Sequence, residues 1–151
     1  MTEGERAGEG VRVSFRLVAD DDGYPPADWE NLWAEALSDG RFRLDNTPFF
    51  AVGVSLGDIV YAIDENGRKV FSSLSAPSGH STLRIVLLEP AEILQVRARL
   101  TAFGCATELS HLPNLVAVDV PPGVSLNAVR AFLDEGQRQS KWEYETSAIR
   151  H

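Results

Sequence analysis

Apolar and polar positions along this chain follow two different rhythms. Through residue 82 the apolar positions recur every second residue in short runs broken by turn residues. Val11, Val13, Phe15 and Leu17 alternate with Arg12, Ser14 and Arg16, which predicts an amphipathic strand. A loop over residues 20–26 follows. Trp29, Leu32, Trp33, Ala36 and Leu37 fit the spacing of a short helix, yet the same residues 29–37 tolerate a strand; Ser38-Asp39-Gly40, leading into residues 41–44, tips the choice towards a hairpin. Asp45-Asn46-Thr47-Pro48 bends the chain ahead of Phe49 and Phe50, which are expected in the core. Gly57-Asp58 leads into a strand over residues 59–63, and Glu65-Asn66-Gly67 turns it into a second over 68–74. Asn-Gly between two apolar runs is a good hairpin signal, because both residues tolerate the positive φ that a tight hairpin turn needs. Four or five short strands with tight turns predict a small β-barrel or curled antiparallel sheet.

From residue 83 onward period two alternates with period three to four. Residues 84–88 form a short apolar run that Pro90 closes, and Pro90 also suits the first turn of a helix. Ile93, Val96, Leu100 and Phe103 share one helical face, and Gly104 stands where a C-terminal glycine ends a helix. Residues 106–111 and 115–120 read as strands joined by Pro113-Asn114. Ser125 is placed to cap a helix whose buried face is Leu126, Val129, Phe132 and Leu133. Trp142, Tyr144 and Thr146 then alternate with Glu143 and Glu145 in a closing strand. Strand, helix, strand, strand, helix, strand predicts a ferredoxin-like βαββαβ unit: a four-stranded antiparallel sheet with both helices on one face. The expected fold class is therefore α+β, with a β-rich part over 11–82 packed on a ferredoxin-like part over 83–151, preceded by a flexible tail over 1–10.

Composition narrows the setting. At 151 residues, 44% apolar and 24% charged, the chain has material for one good core or two small ones. No apolar run approaches the roughly 20 residues needed to span a bilayer, and the polar, acidic start lacks the pattern of a signal peptide. Cys105 is the single cysteine, so an intrachain disulfide is impossible. These features predict a cytoplasmic protein. Net charge is -8, concentrated early: residues 1–80 hold 14 acids and 7 bases, residues 81–151 hold 8 and 7. Asp20, Asp21, Asp22, Asp28, Glu30, Glu35, Asp39 and Asp45 make the first third acidic, which disfavours nucleic acid and suits a basic protein partner. Strand 115–120, LVAVDV, also lacks the aromatics with which an RNA-binding sheet stacks bases.

Candidate chemistry gathers where the halves meet. Ser78-Gly79-His80-Ser81-Thr82-Leu83-Arg84 places an imidazole, three hydroxyls and a guanidinium in one short segment. His80 is the candidate general base, with Asp58 or Asp45 to orient it and Arg84 or Asn46 to anchor substrate. Asp45, Asn46, Ser78, His80, Ser81 and Arg84 form the candidate ligand-binding set. Each has a structural alternative, since hydroxyls cap turns and Asx side chains fold loops upon themselves. His80, His111 and His151 are scattered, so no metal is expected; Cys105 reads as a buried, inert thiol. No phosphate-binding glycine loop or nucleophile elbow occurs, and no cofactor is expected.

The strings LDNTPFFAVGVSLGDIV and SGHSTLR, with ENLWAEAL before them, resemble a bacterial family known as domain of unknown function 4265. The resemblance runs from about residue 11 to residue 149 and implies a bacterial cytoplasmic protein, but no activity. The leading expectation is a non-enzymatic binding or interaction module, engaging a basic protein or a small ligand, as a monomer or weak homodimer. The alternative is a small hydrolase or transferase using His80 and a nearby carboxylate.

Overall fold

A computed structural model describes residues 10–151, so the expected tail lies outside the described residues save for Gly10, which already begins a strand. The chain divides into two compact units, Met1–Ser78 and Gly79–His151. Ser81 and Thr82, assigned to the first half by sequence, pair with Val120 and Asp119 and so belong to the second.

In the first unit β1 (Gly10–Arg16), β2 (Trp29–Ala36), β3 (Arg41–Leu44), β4 (Ile59–Glu65) and β5 (Arg68–Ala76) close into a five-stranded barrel. Successive strands are antiparallel, and β5 closes on β1 in parallel at Ser14 and Val70. The 29–37 ambiguity resolves as strand. Glu30, Leu32 and Ala34 are buried while Trp29 and Trp33 lie half-buried on the other side, an alternation of two that no helix produces. Asn66 and Gly67 take φ of 52° and 83°, the paired left-handed conformations of a two-residue hairpin turn. Val13, Phe15, Leu32, Leu44, Val54 and Val60 fill the barrel. Phe49 and Phe50, expected inside, are only half-buried; Ala51 and Val54 supply the core contacts of that loop, and Phe50 packs edge-on against Tyr24 at 5.7 Å.

The second unit runs β6 (Ser81–Leu87), a 3-10 turn (Pro90–Glu92), α1 (Ile93–Phe103), β7 (Ala106–Leu109), β8 (Leu115–Val120), α2 (Leu126–Arg138) and β9 (Trp142–Ala148). The sheet order is β7-β8-β6-β9, antiparallel throughout. Gly104 ends α1 at φ 103°, where its N–H reaches the carbonyls of Leu100 and Thr101. Ser125 Oγ accepts the Ala128 amide at 3.1 Å and caps α2. Leu83, Ile85, Val116, Val118 and Val120 pack with Val96, Leu100, Val129, Leu133 and Trp142 in one core. Among the described residues no helix is long and apolar enough to cross a membrane.

Candidate functional site

β8 is buried on both faces, so the strand period decides what each residue meets. Val116, Val118 and Val120 join the core with the helices, which puts Leu115, Ala117 and Asp119 on the opposite face of the sheet. Asp119 is thus an acid held 2% exposed in an otherwise apolar strand. Its register partner Thr82 follows His80 by two residues, and this brings the imidazole beside the carboxylate. His80 Nδ1 lies 2.7 Å from Asp119 Oδ1, with side chains 24% and 3% exposed respectively. An ionised carboxylate only accepts, so the charged pair has Nδ1–H donating and the imidazole held in one orientation.

Burial pushes the Asp119 carboxyl above its ordinary value; the His80 hydrogen bond and the charges of His80 and His151 pull partly against that rise. Cys105 feels the same site. Burial first, then the Asp119 charge, push its thiol up to about 11, so it stays protonated at neutral pH and makes a poor nucleophile.

A second histidine borders this cluster. His151 Nε2 meets the Pro121 carbonyl at 2.8 Å, and a carbonyl oxygen cannot donate, so Nε2 carries the proton. In the neutral ring Nδ1 then accepts from Ser81 Oγ at 2.6 Å, and that hydroxyl in turn accepts the Arg150 amide at 2.8 Å. Ser81 is fully buried. Arg84, 3% exposed, donates to Ser147 Oγ at 2.9 Å and reaches Glu145 at 3.5 Å. Both residues tie β6 to the C-terminal strand region.

The remaining candidates lie in the first unit and brace backbone. Asp58, fully buried, accepts the amides of Ser55 and Ser78, each at 2.8 Å. Ser78 Oγ donates to the Leu56 carbonyl at 2.7 Å, and Gly57, at φ 84°, turns the chain between them. Asn46 Oδ1 accepts the Trp33 amide at 2.7 Å. Asp45 is exposed, and its amide donates to the Trp33 carbonyl. Within the second unit the carboxylate bonded to the His80 ring is that of Asp119. The signal for Asp119 in the sequence is that it is the lone acid in the apolar strand LVAVDV.

Glu30 is a further carboxylate that the charge pattern misassigns. Counted with the acidic surface, it is 9% exposed and accepts three successive amides, Phe49 at 2.6 Å, Phe50 at 3.0 Å and Ala51 at 2.8 Å. Glu35 and Asp39 are paired with Arg43 and Arg41. The solvated acids of the first third are therefore fewer than the count suggests. Among the described residues no three His, Cys, Asp or Glu side chains are grouped as metal ligands.

A crystal structure titled as that of a hypothetical protein from Neisseria gonorrhoeae is similar in fold, with a TM-score of 0.80 at 21% identity over 94% of this chain and 96% of that one. No curated protein matches the chain. The family model described as Domain of unknown function (DUF4265) matches residues 30–144, and the chain belongs to that family.

Proposed function

We propose that this protein works by binding rather than by catalysis, as a cytoplasmic interaction module that offers its acidic loop to a basic partner. The observation that carries this reading is how the polar side chains are used. Asp58, Asn46, Ser78 and Ser81 all bond backbone groups, and the single thiol is held protonated. Such groups specify a fold; they do not supply a nucleophile. Asp20 organises the loop by accepting the amides of Asp22 and Tyr24, while Asp21, Asp22 and Asp28 stand exposed. Clustered solvated acids speed encounter with a basic surface and fix its register. The second unit is read as ferredoxin-like, a frame that its strand order supports.

A Lys/Arg-rich peptide serves as the probe. Binding should weaken with salt and fall in the Asp21→Asn/Asp22→Asn/Asp28→Asn variant. Binding that is absent, or unchanged in the variant, would remove the acidic loop from the reading.

One observation favours a second reading. A partly exposed imidazole oriented by a buried carboxylate at 2.7 Å is the arrangement of a general base. On that reading Asp119 orients the ring and His80 is the base. A panel of ester, phosphoester and amide substrates separates the two: turnover that His80→Gln abolishes would put catalysis first.

A further inference from the structure

The barrel carries a second charged surface, of the opposite sign. Its strands place Arg12 opposite Trp33, Ser14 opposite Asn31 and Arg16 opposite Trp29. These are alternate positions, so all six side chains share the outer face of β1 and β2. Arg12 lies over Trp33 at 4.6 Å and Arg16 over Trp29 at 4.4 Å; Arg68, from the start of β5, also lies over Trp29, at 4.1 Å. Ser14 Oγ donates to Asn31 Oδ1 at 2.6 Å, which leaves the amide nitrogen as the donor end of Asn31.

Charge pairing singles out two of these guanidinia. Arg16, Arg41, Arg43 and Lys69 of the barrel are paired with Glu65, Asp39, Glu35 and Asp64. Arg12 and Arg68 make no ion pair among the described residues, in a chain whose acids outnumber its bases by 22 to 14. Both are exposed, and both line one open depression of about 470 Å³, with Ser14, Asn31, Gly67 and Lys69. No acid lines it. Bringing the two unpaired guanidinia together beside the Asp64-paired Lys69 costs mutual repulsion, which a bound anion would remove. A guanidinium laid on an indole is restrained yet keeps its in-plane N–H donors, so little further ordering is needed when an anion arrives.

We propose that this depression is a binding site for a phosphate ester or diphosphate, held by the guanidinium forks of Arg12 and Arg68 with Lys69 and the Asn31 amide beside them. The forks match phosphate oxygens two at a time. Two unpaired guanidinia, with the Asp64-paired Lys69 beside them, call for more negative charge than one carboxylate carries. A long polyanion would also have to lie against an acid-rich chain, whereas a small phosphate responds mainly to charges within a Debye length of about 8 Å. The site goes beyond the reading above: it has the opposite charge and a different class of ligand.

The test is titration of the full chain with inorganic pyrophosphate, read from the indole N–H signals of Trp29 and Trp33 in NMR spectra. Saturable binding that weakens with salt is expected. Arg12→Gln and Arg68→Gln should each weaken it about tenfold, the loss of one charge-assisted group. Arg68→Lys, which keeps the charge without the fork, should weaken it less than Arg68→Gln. Arg43→Gln, on β3, should leave it unchanged, as should Asp21→Asn/Asp22→Asn/Asp28→Asn, so failure here and failure of the acidic loop are distinguishable. Thermal melts of each variant establish that it is folded. Vesicles with a phosphomonoester headgroup distinguish a lipid-borne phosphate from a free one: Arg68-dependent sedimentation without pyrophosphate binding assigns the phosphate to lipid and supports the chemistry. No saturation by either probe overturns the proposal, as does loss that is equal in Arg43→Gln and Arg68→Gln. Single-stranded RNA binding much tighter than pyrophosphate, on the same arginines, would assign the face to nucleic acid instead and overturn it too.

Discussion

The indole of Trp142 rests directly on the Cα of Gly136. A Cβ built at position 136 would stand 1.8 Å from Cζ2 and 2.2 Å from Cε2 of that ring. The ring has no room to retreat: it is 3% exposed, its Nε1 donates to the Leu133 carbonyl at 2.9 Å, and Phe132 packs beside it at 5.5 Å. Glycine inside a helix is ordinarily a weakness worth about 1 kcal/mol against alanine. Here the missing Cβ is the condition for α2 and β9 to meet.

Gly136→Ala should therefore destabilise the fold by about 2 kcal/mol or more, the helix gain being outweighed by overpacking against a rigid ring. Urea denaturation followed by far-UV circular dichroism measures it. A variant as stable as wild type would mean that the ring can move away.

Glu30→Gln is nearly isosteric but reverses half of the group's hydrogen bonding. The carboxylate offers two acceptor oxygens to the amides of Phe49, Phe50 and Ala51. Glutamine offers one, and its NH2 would face an N–H. A loss of about 2–4 kcal/mol is expected, from one or two buried amides left unsatisfied and the charge removed. Urea denaturation reads it; a change below about 0.5 kcal/mol, the level of ordinary surface substitutions, would show that the carboxylate is dispensable.

Cys105 should resist alkylation while the protein is folded. It is 5% exposed and its thiol is raised to about 11, so at pH 8 the reactive thiolate is scarce and shielded. Iodoacetamide followed by mass spectrometry should show no adduct on the native protein and complete modification in urea. Rapid labelling of the native protein would mean that this end of β7 opens.

The hairpins, both helices and their caps were legible because local chemistry specifies them. Asn66-Gly67, Gly104 and Ser125 each act within a few residues of themselves. The stretch from Trp29 was legible only through the turn that follows it, because its apolar spacing fits a helix as well as a strand; tertiary pairing of Trp29 and Trp33 with Arg16 and Arg12 decides it. Candidate chemistry was harder still. His80 was visible, but its partner lies 39 residues away and is set by the register of β6 on β8, which no local pattern encodes. Charge counting failed at Glu30 for a related reason, since whether an acid faces solvent or three amides depends on where a distant loop returns.

The Asp119–His80 pair should make stability depend on pH. Burial holds the Asp119 carboxyl above its ordinary value of 3.8, so between 3.8 and the raised value the folded chain keeps a proton that the unfolded chain has lost. More protons bound when folded means that stability falls as pH rises. The contribution of Asp119 is thus fully present below the unfolded value and is lost as pH climbs through the folded one. Asp119→Asn removes this titration while keeping the shape and an acceptor for His80. Chemical denaturation of both proteins, from about pH 4 to pH 7 in steps, isolates the term because the other carboxylates cancel in the difference. Wild type should lose stability relative to Asp119→Asn as pH rises, levelling off once Asp119 is ionised in the fold. If wild type instead gains on the variant, the charge of His80 outweighs burial and the pair is an ion pair throughout. Repeating the series in a His80→Gln background tells these apart: without that imidazole only the His151 charge is left to offset burial, so the fall should become steeper and extend to higher pH.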